Sequence, residues 1–207
     1  MIRVVRGYAW CLLAFILVQG CAVEHVVSVP SSPTPGKQGV FHLSQNGMLY
    51  IQAVGESYGT LWYTSGFHSW ILEREPTEMV LKAVEEELKL MGICVTADPF
   101  QAIPRLEIEL RWFGPYGHSP LTAAIIIAFA LYPAQSNNPV WRGKVQAGEY
   151  LNPAMVDVGE DAAFIGRIIS KVLSDALMQL RWKPDFLDAI SHVLQTSMTC
   201  SQREELR

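Results

Sequence analysis

The 207-residue chain has no apolar stretch long enough to cross a bilayer as a helix, which takes roughly 20 residues. Its two greasiest blocks, AWCLLAFILV from Ala9 and AAIIIAFALY from Ala123, each stop after about ten. Charge is scarce too. Only 17% of residues are Asp, Glu, Lys or Arg, and the formal balance is −4, which argues against nucleic acid as a partner because that needs a basic surface. The histidines His25, His42, His68, His118 and His192 are scattered. None forms an HxxxH or HExxH pair, so a metal site has no support. There is no GxSxG elbow and no GxxxxGK[ST] phosphate loop. Glu107 and Glu109 imitate a carboxylate pair, but their alternation with Leu and Ile is better explained as the wet side of a strand. The expectation is therefore no enzyme, no cofactor and no metal.

What is present begins at the N-terminus. Arg3 and Arg6 precede the first apolar block, and no acid accompanies them. A basic start, a short greasy middle and a small residue before the break are the three parts of a secretory signal. Val18-Gln19-Gly20-Cys21 resembles the lipobox of bacterial lipoprotein signals, with Val18 where Leu is usual. The resemblance implies cleavage before Cys21 and lipidation of that residue, with residues 1–20 as the signal. A short buried helix with a free cysteine is the alternative. Each buried acyl methylene is worth about 0.8 kcal/mol, and two or more chains make a lasting anchor. Ala22 follows the cysteine, and the resemblance then points to the outer membrane, facing the periplasm.

Residues 21–46 read as the lipidated cysteine and a tether. SVPSSPTPGKQG, with Pro30, Pro33 and Pro35, cannot bury enough apolar surface to fold. A tether of about 25 residues spans on the order of 25–30 Å on average. Residues 47–195 read as a single domain and 196–207 as a polar tail. Cys11 leaves with the signal, so Cys94 and Cys200 remain. In an oxidising compartment they can pair; two buried free thiols are the alternative.

Within the domain, MLYIQAV at Met48 reads as a strand. Residues 56–72, rich in Gly, Ser and aromatics, read as a loop with a short extended piece. Thr77 is the expected N-cap of a helix whose Val80, Leu81, Val84, Leu88 and Met91 share one face; Gly92 stops it. A short strand covers residues 93–96. In RLEIELRWF, Leu106, Ile108, Leu110 and Trp112 are expected to point one way, and Glu107, Glu109 and Arg111 the other. Leu121 to Tyr132 reads as a central strand, apolar on both faces. A polar hairpin loop leads to a strand over 140–150, where Trp141, Val145 and Ala147 alternate against Arg142, Lys144 and Gln146. Residues 160–180 carry the strongest helical stripe, and 186–194 a shorter one. The order predicts an α+β fold: a mixed, largely antiparallel sheet of about five strands with two main helices on one face.

Together the lipobox, the Pro-rich tether, EPTEMVLKAVEEELKLMG, RLEIELRW, the long hairpin and GEDAAFIGRIISKVLSDAL resemble the YajG-type bacterial lipoproteins. More distantly they resemble the auxiliary lipoproteins of ABC-type lipid-transport systems. The resemblance carries over no functional residue except Cys21. It implies a non-enzymatic envelope component that assists a binding, assembly or lipid-transport complex. An envelope hydrolase with an unrecognised active site is the alternative.

One mismatch sharpens the reading. The strand over 105–113 has a wet face, yet its neighbour is apolar on both. The outward set of that neighbour, either Ala124, Ile126, Ala128 and Ala130 or Ile125, Ile127, Phe129 and Leu131, would leave a greasy strip on a polar face. Such strips mark interfaces. Ile125, Ile126, Ile127 and Phe129 are the candidate contacts for a protein partner, a second copy or an acyl chain. The bland alternative is that residues 56–72, or the segment around Phe186, Leu187 and Ile190, cover the strip.

Overall fold

In chain order the elements are β1 (Val23–Val27), β2 (Met48–Val54), β3 (Leu61–Ser65), β4 (His68–Leu72), α1 (Pro76–Leu90), β5 (Cys94–Thr96), β6 (Arg105–Tyr116), β7 (Leu121–Tyr132), β8 (Trp141–Leu151), α2 (Ala162–Arg181) and α3 (Pro184–Gln195). They come from a computed structural model that describes residues 23–29, 47–56, 59, 61–65, 68–99, 103–116, 121–151, 162–195 and 197.

The main sheet has five strands in the order β5-β2-β6-β7-β8. β2 pairs parallel with β5 and with β6, while β6, β7 and β8 form an antiparallel meander. Short links dictate the meander, because only antiparallel neighbours can be joined by tight turns. The helix α1 carries the chain from β2 to a parallel neighbour, as a parallel pair requires. All three helices lie against the same face. There Leu106, Ile108, Leu110, Ile125, Ile127, Phe129, Leu131, Trp141 and Val145 meet Val84, Leu88, Ile169, Val172, Leu173, Leu177, Phe186 and Ile190 in one buried cluster. The α+β expectation holds.

Three local readings change. The first concerns α1, which starts at Pro76 rather than after Thr77. Its N-cap is Glu75, whose carboxylate accepts from the Glu78 backbone N–H at 3.1 Å. Proline suits the first helical position because its missing N–H would have no partner there anyway. The second is that the shorter helix α3 starts at Pro184, two residues before the expected 186. The third is that Leu61–Ser65 and His68–Leu72 are strands rather than loop. β3 and β4 form an antiparallel hairpin, and β1 adds to it in parallel, making a second sheet in the order β1-β4-β3.

That small sheet also revises the tether. Val23–Val27, assigned to it from composition, pairs residue by residue with His68–Leu72. Val27 is fully buried, and Glu73 donates its backbone N–H to the Val27 carbonyl at 3.0 Å. Gly166 of α2 makes room for this strand: a Cβ there would lie 2.3 Å from the Ser28 carbonyl oxygen. Residues 30–46, with the three prolines, lie outside the described residues.

Two contacts fasten α3. The Trp141 indole N–H donates to the Asp185 carboxylate at 2.8 Å, and its ring meets Phe186 at a 4.9 Å centroid separation. The indole lies back over Gly143, where a Cβ would come within 2.4 Å of it. At the other end of α3, Ser197 Oγ accepts from the Met48 backbone N–H at 3.1 Å, which brings the chain beside the start of β2.

Candidate functional site: the open face of the sheet

The helices cover one face of the main sheet, and among the described residues no element covers the other. Strand parity decides what stands on it. On β7 the set facing the helices is Ala123, Ile125, Ile127, Phe129 and Leu131, with Ile125, Ile127 and Phe129 at 1%, 0% and 3% exposure. Three of the four candidate contacts are therefore core residues. Only Ile126 of that group, with Ala124, Ala128 and Ala130, belongs to the opposite face. Among the described residues, neither of the proposed covers reaches it. Trp62 of β3, Phe186 and Ile190 are all buried in the helix-side core.

On β6 the parity changes midway. Glu107 and Glu109 stand on the open face, as the alternation indicates. The register then slips between Leu110 and Trp112, so that Trp112 pairs with Ile126 and Phe113 with Ile125. This β-bulge adds one residue, Arg111, and reverses the faces beyond it. Trp112, expected beside Leu110 in the core, instead lies on the open side at 39% exposure, next to Ile126. Nothing in RLEIELRWF marks the bulge, since neither Gly nor Pro interrupts it.

The open face forms a shallow groove of about 390 Å³. Its floor follows from residue size: Ala128 and Ala130 of β7 lie between longer side chains on both neighbouring strands. One wall is Glu107, Glu109 and Arg111 of β6; the other is Arg142 and Lys144 of β8, with Tyr132 and Val54 completing the rim.

The β6 wall is internally neutralised. Glu107 Oε1 accepts from Arg105 Nε and from Gln52 Nε2, each at 3.1 Å, and Tyr50 donates to Gln52 Oε1. Arg105 also stacks over the Tyr132 ring at 3.9 Å and donates to the Ser136 carbonyl. The hydrogen bond from Tyr132 to the Glu107 carboxylate, helped by burial, raises the phenol's pKa above its ordinary value of 10.0. Glu109 pairs with Arg111 at 3.0 Å. The β8 wall differs. Arg142 and Lys144 are exposed, and among the described residues no ion pair engages them. The face thus holds four cationic side chains (Arg105, Arg111, Arg142, Lys144) and two carboxylates, in a chain whose overall charge is −4.

Among the described residues no three His, Cys, Asp or Glu side chains are grouped as metal ligands, and no helix is long and apolar enough to cross a membrane. Cys94 is disulfide-bonded. Cys21 and Cys200 lie outside the described residues.

No family model and no curated protein matches the chain. Solved structures do. Protein XCC0632 from Xanthomonas campestris, of the DUF330 family, shares the fold with a TM-score of 0.53 at 14% identity, over 90% of this chain and 100% of that one. Weaker likenesses include the hypothetical protein CT253 from Chlamydia trachomatis (TM-score 0.46, 6% identity, 72% and 98% of the two chains). A minor lipoprotein from Acinetobacter baumannii is also similar (TM-score 0.39, 8% identity, 65% and 92%).

Proposed function

We propose that this chain is a lipid-anchored, non-enzymatic protein of the bacterial envelope, of the YajG-like kind, which presents the open face of its main sheet to a protein partner or a second copy. The observation that carries the reading is that face. An alanine-floored groove with Ile126 and Trp112 at one end and unpaired cations along one wall is a surface built to be covered. The signal-like N-terminus ending at Cys21 supports the anchor. Ala22 favours the outer membrane, with the body in the periplasm. The disulfide at Cys94 supports export, because such bonds persist in oxidising compartments and are rare in the cytosol. We assign its partner as Cys200. Ser197 sits on Met48, and Met48 is the register neighbour of Cys94, so a residue three positions on is within reach of that strand by chain length, about 10 Å.

A photo-crosslinking residue at position 126, in membranes from cells making the full-length protein, tests the reading. The expected result is one discrete adduct that disappears when Arg142 and Lys144 are changed to Glu. No adduct at 126, with the same group at exposed Lys82 of α1 giving the same pattern, overturns it.

A further inference from the structure

The first strand fixes where the anchor is, and with it the attitude of the whole body. We propose that the bilayer surface is itself a docking partner, and that the start of β1, with the adjoining start of β4, is the end of the molecule pressed against it. The inference rests on the reading of Cys21 as the lipid-bearing residue.

Only Ala22 separates Cys21 from Val23. Two Cα steps reach at most about 7 Å, so the lipid's attachment point lies within that distance of a strand built into the fold. A tether of about 25 residues would instead let the body roam over 25–30 Å and turn freely. The prolines at 30, 33 and 35 do not lengthen the leash. They follow β1 and belong to the connection from β1 to β2.

The strand is held firmly enough to transmit this constraint. Five consecutive residues pair with β4, Val27 is wholly buried, and the Ser28 carbonyl is seated on Gly166. β3, β4 and β1 pack beside the Phe113–Ile125 end of the β6–β7 hairpin, where the backbone oxygen of Trp62 lies 3.8 Å from a Cβ placed on Gly114. The β7–β8 turn lies at the far end of β7. Ala124 and Pro133 are separated by nine strand steps, about 30 Å. The open face therefore runs away from the membrane rather than lying unoriented above it.

The test uses full-length lipidated protein in vesicles of phosphatidylethanolamine with a minority of phosphatidylglycerol, some lipids carrying a headgroup quencher. A fluorophore is placed at position 24 (Glu24→Cys) or at position 137 (Asn137→Cys), both exposed. We expect quenching several-fold stronger at 24 than at 137. A flexible Gly-Ser insert between Ala22 and Val23, on the order of ten residues, should remove most of that difference while the protein still sediments with membranes. Equal quenching at the two positions, or an insert without effect, overturns the flush placement alone. A Cys21→Ser protein that still sediments with membranes overturns the lipid reading beneath it.

Discussion

Arg181 holds Glu87 with two hydrogen bonds, Nε to Oε1 at 2.5 Å and Nη2 to Oε2 at 2.9 Å, joining α2 to α1 across 94 residues of sequence. Both side chains are nearly buried, at 11% and 7% exposure. The forked geometry satisfies both carboxylate oxygens, which makes so buried a pair tolerable. Removing one partner strands the other charge out of water. Glu87→Ala or Arg181→Ala should each cost about 3–5 kcal/mol in urea unfolding, whereas Glu87→Leu with Arg181→Met should recover most of it.

Neighbouring isoleucines should respond differently because they stand on opposite faces. Ile127 is wholly buried, so Ile127→Ala should cost about 2–5 kcal/mol. Ile126→Ala, on the open face, should cost well under half as much. Ile126→Glu should leave the unfolding midpoint nearly unchanged while abolishing partner crosslinking. Matched denaturation curves measure both.

Gly166 offers a substitution in which local and tertiary effects have opposite signs. Alanine is the better helix former by about 1 kcal/mol, yet its methyl would collide with the Ser28 carbonyl at 2.3 Å. Gly166→Ala should therefore keep or raise the helicity of α2 while loosening β1. Amide exchange at Val26 and Val27 should quicken, with little change at Ile169 and Val172.

The Trp141–Asp185 bond sets an acid response. The indole N–H holds the Asp185 carboxyl below its ordinary value of 3.8, with lesser help from backbone N–H groups. A group whose pKa is lowered in the folded state lends stability above its unfolded value, and that stability is lost as the pH falls through the folded one. Wild-type stability should thus drop from about pH 4 downward more steeply than that of Asp185→Asn. Tryptophan fluorescence against urea at several pH values makes the comparison.

Non-reducing peptide mapping should recover Cys94 joined to Cys200. Reduction, or Cys200→Ser, should lower stability by about 2–4 kcal/mol, since the bond closes a long loop. Recovery of Cys94 joined to any other cysteine would refute the assignment.

The sequence announces its regular elements well and its exceptions poorly. Leu121 to Tyr132 is read with both ends correct, because a twelve-residue run that is apolar but for Thr122, set between turn signals, leaves little else to form. Alternation in β6 is reliable up to Leu110 and fails at Trp112, since a bulge without glycine leaves no compositional mark. The hairpin β3–β4 is hidden by its Gly, Ser and aromatic content, and β1 by its position beside a proline run. Both depend on pairing partners far away in the chain, which local pattern does not register. The same limit governs the candidate face. The apolar strip is legible, but whether Ile126 or Ile125 looks outward depends on a register that only the assembled sheet fixes.

The surplus residue at Arg111 has a consequence for any partner that lies along the sheet. It divides the exposed surface into two zones of unlike texture: ionic near Glu107, Glu109, Arg142 and Lys144, and oily near Trp112 and Ile126. A ligand seated lengthwise must match that gradient head to tail, so the face can discriminate polarity of insertion as well as identity. Deleting Arg111 would restore plain alternation with the indole still opposite Ile126, so the oily zone would survive while the ionic zone lost one cation.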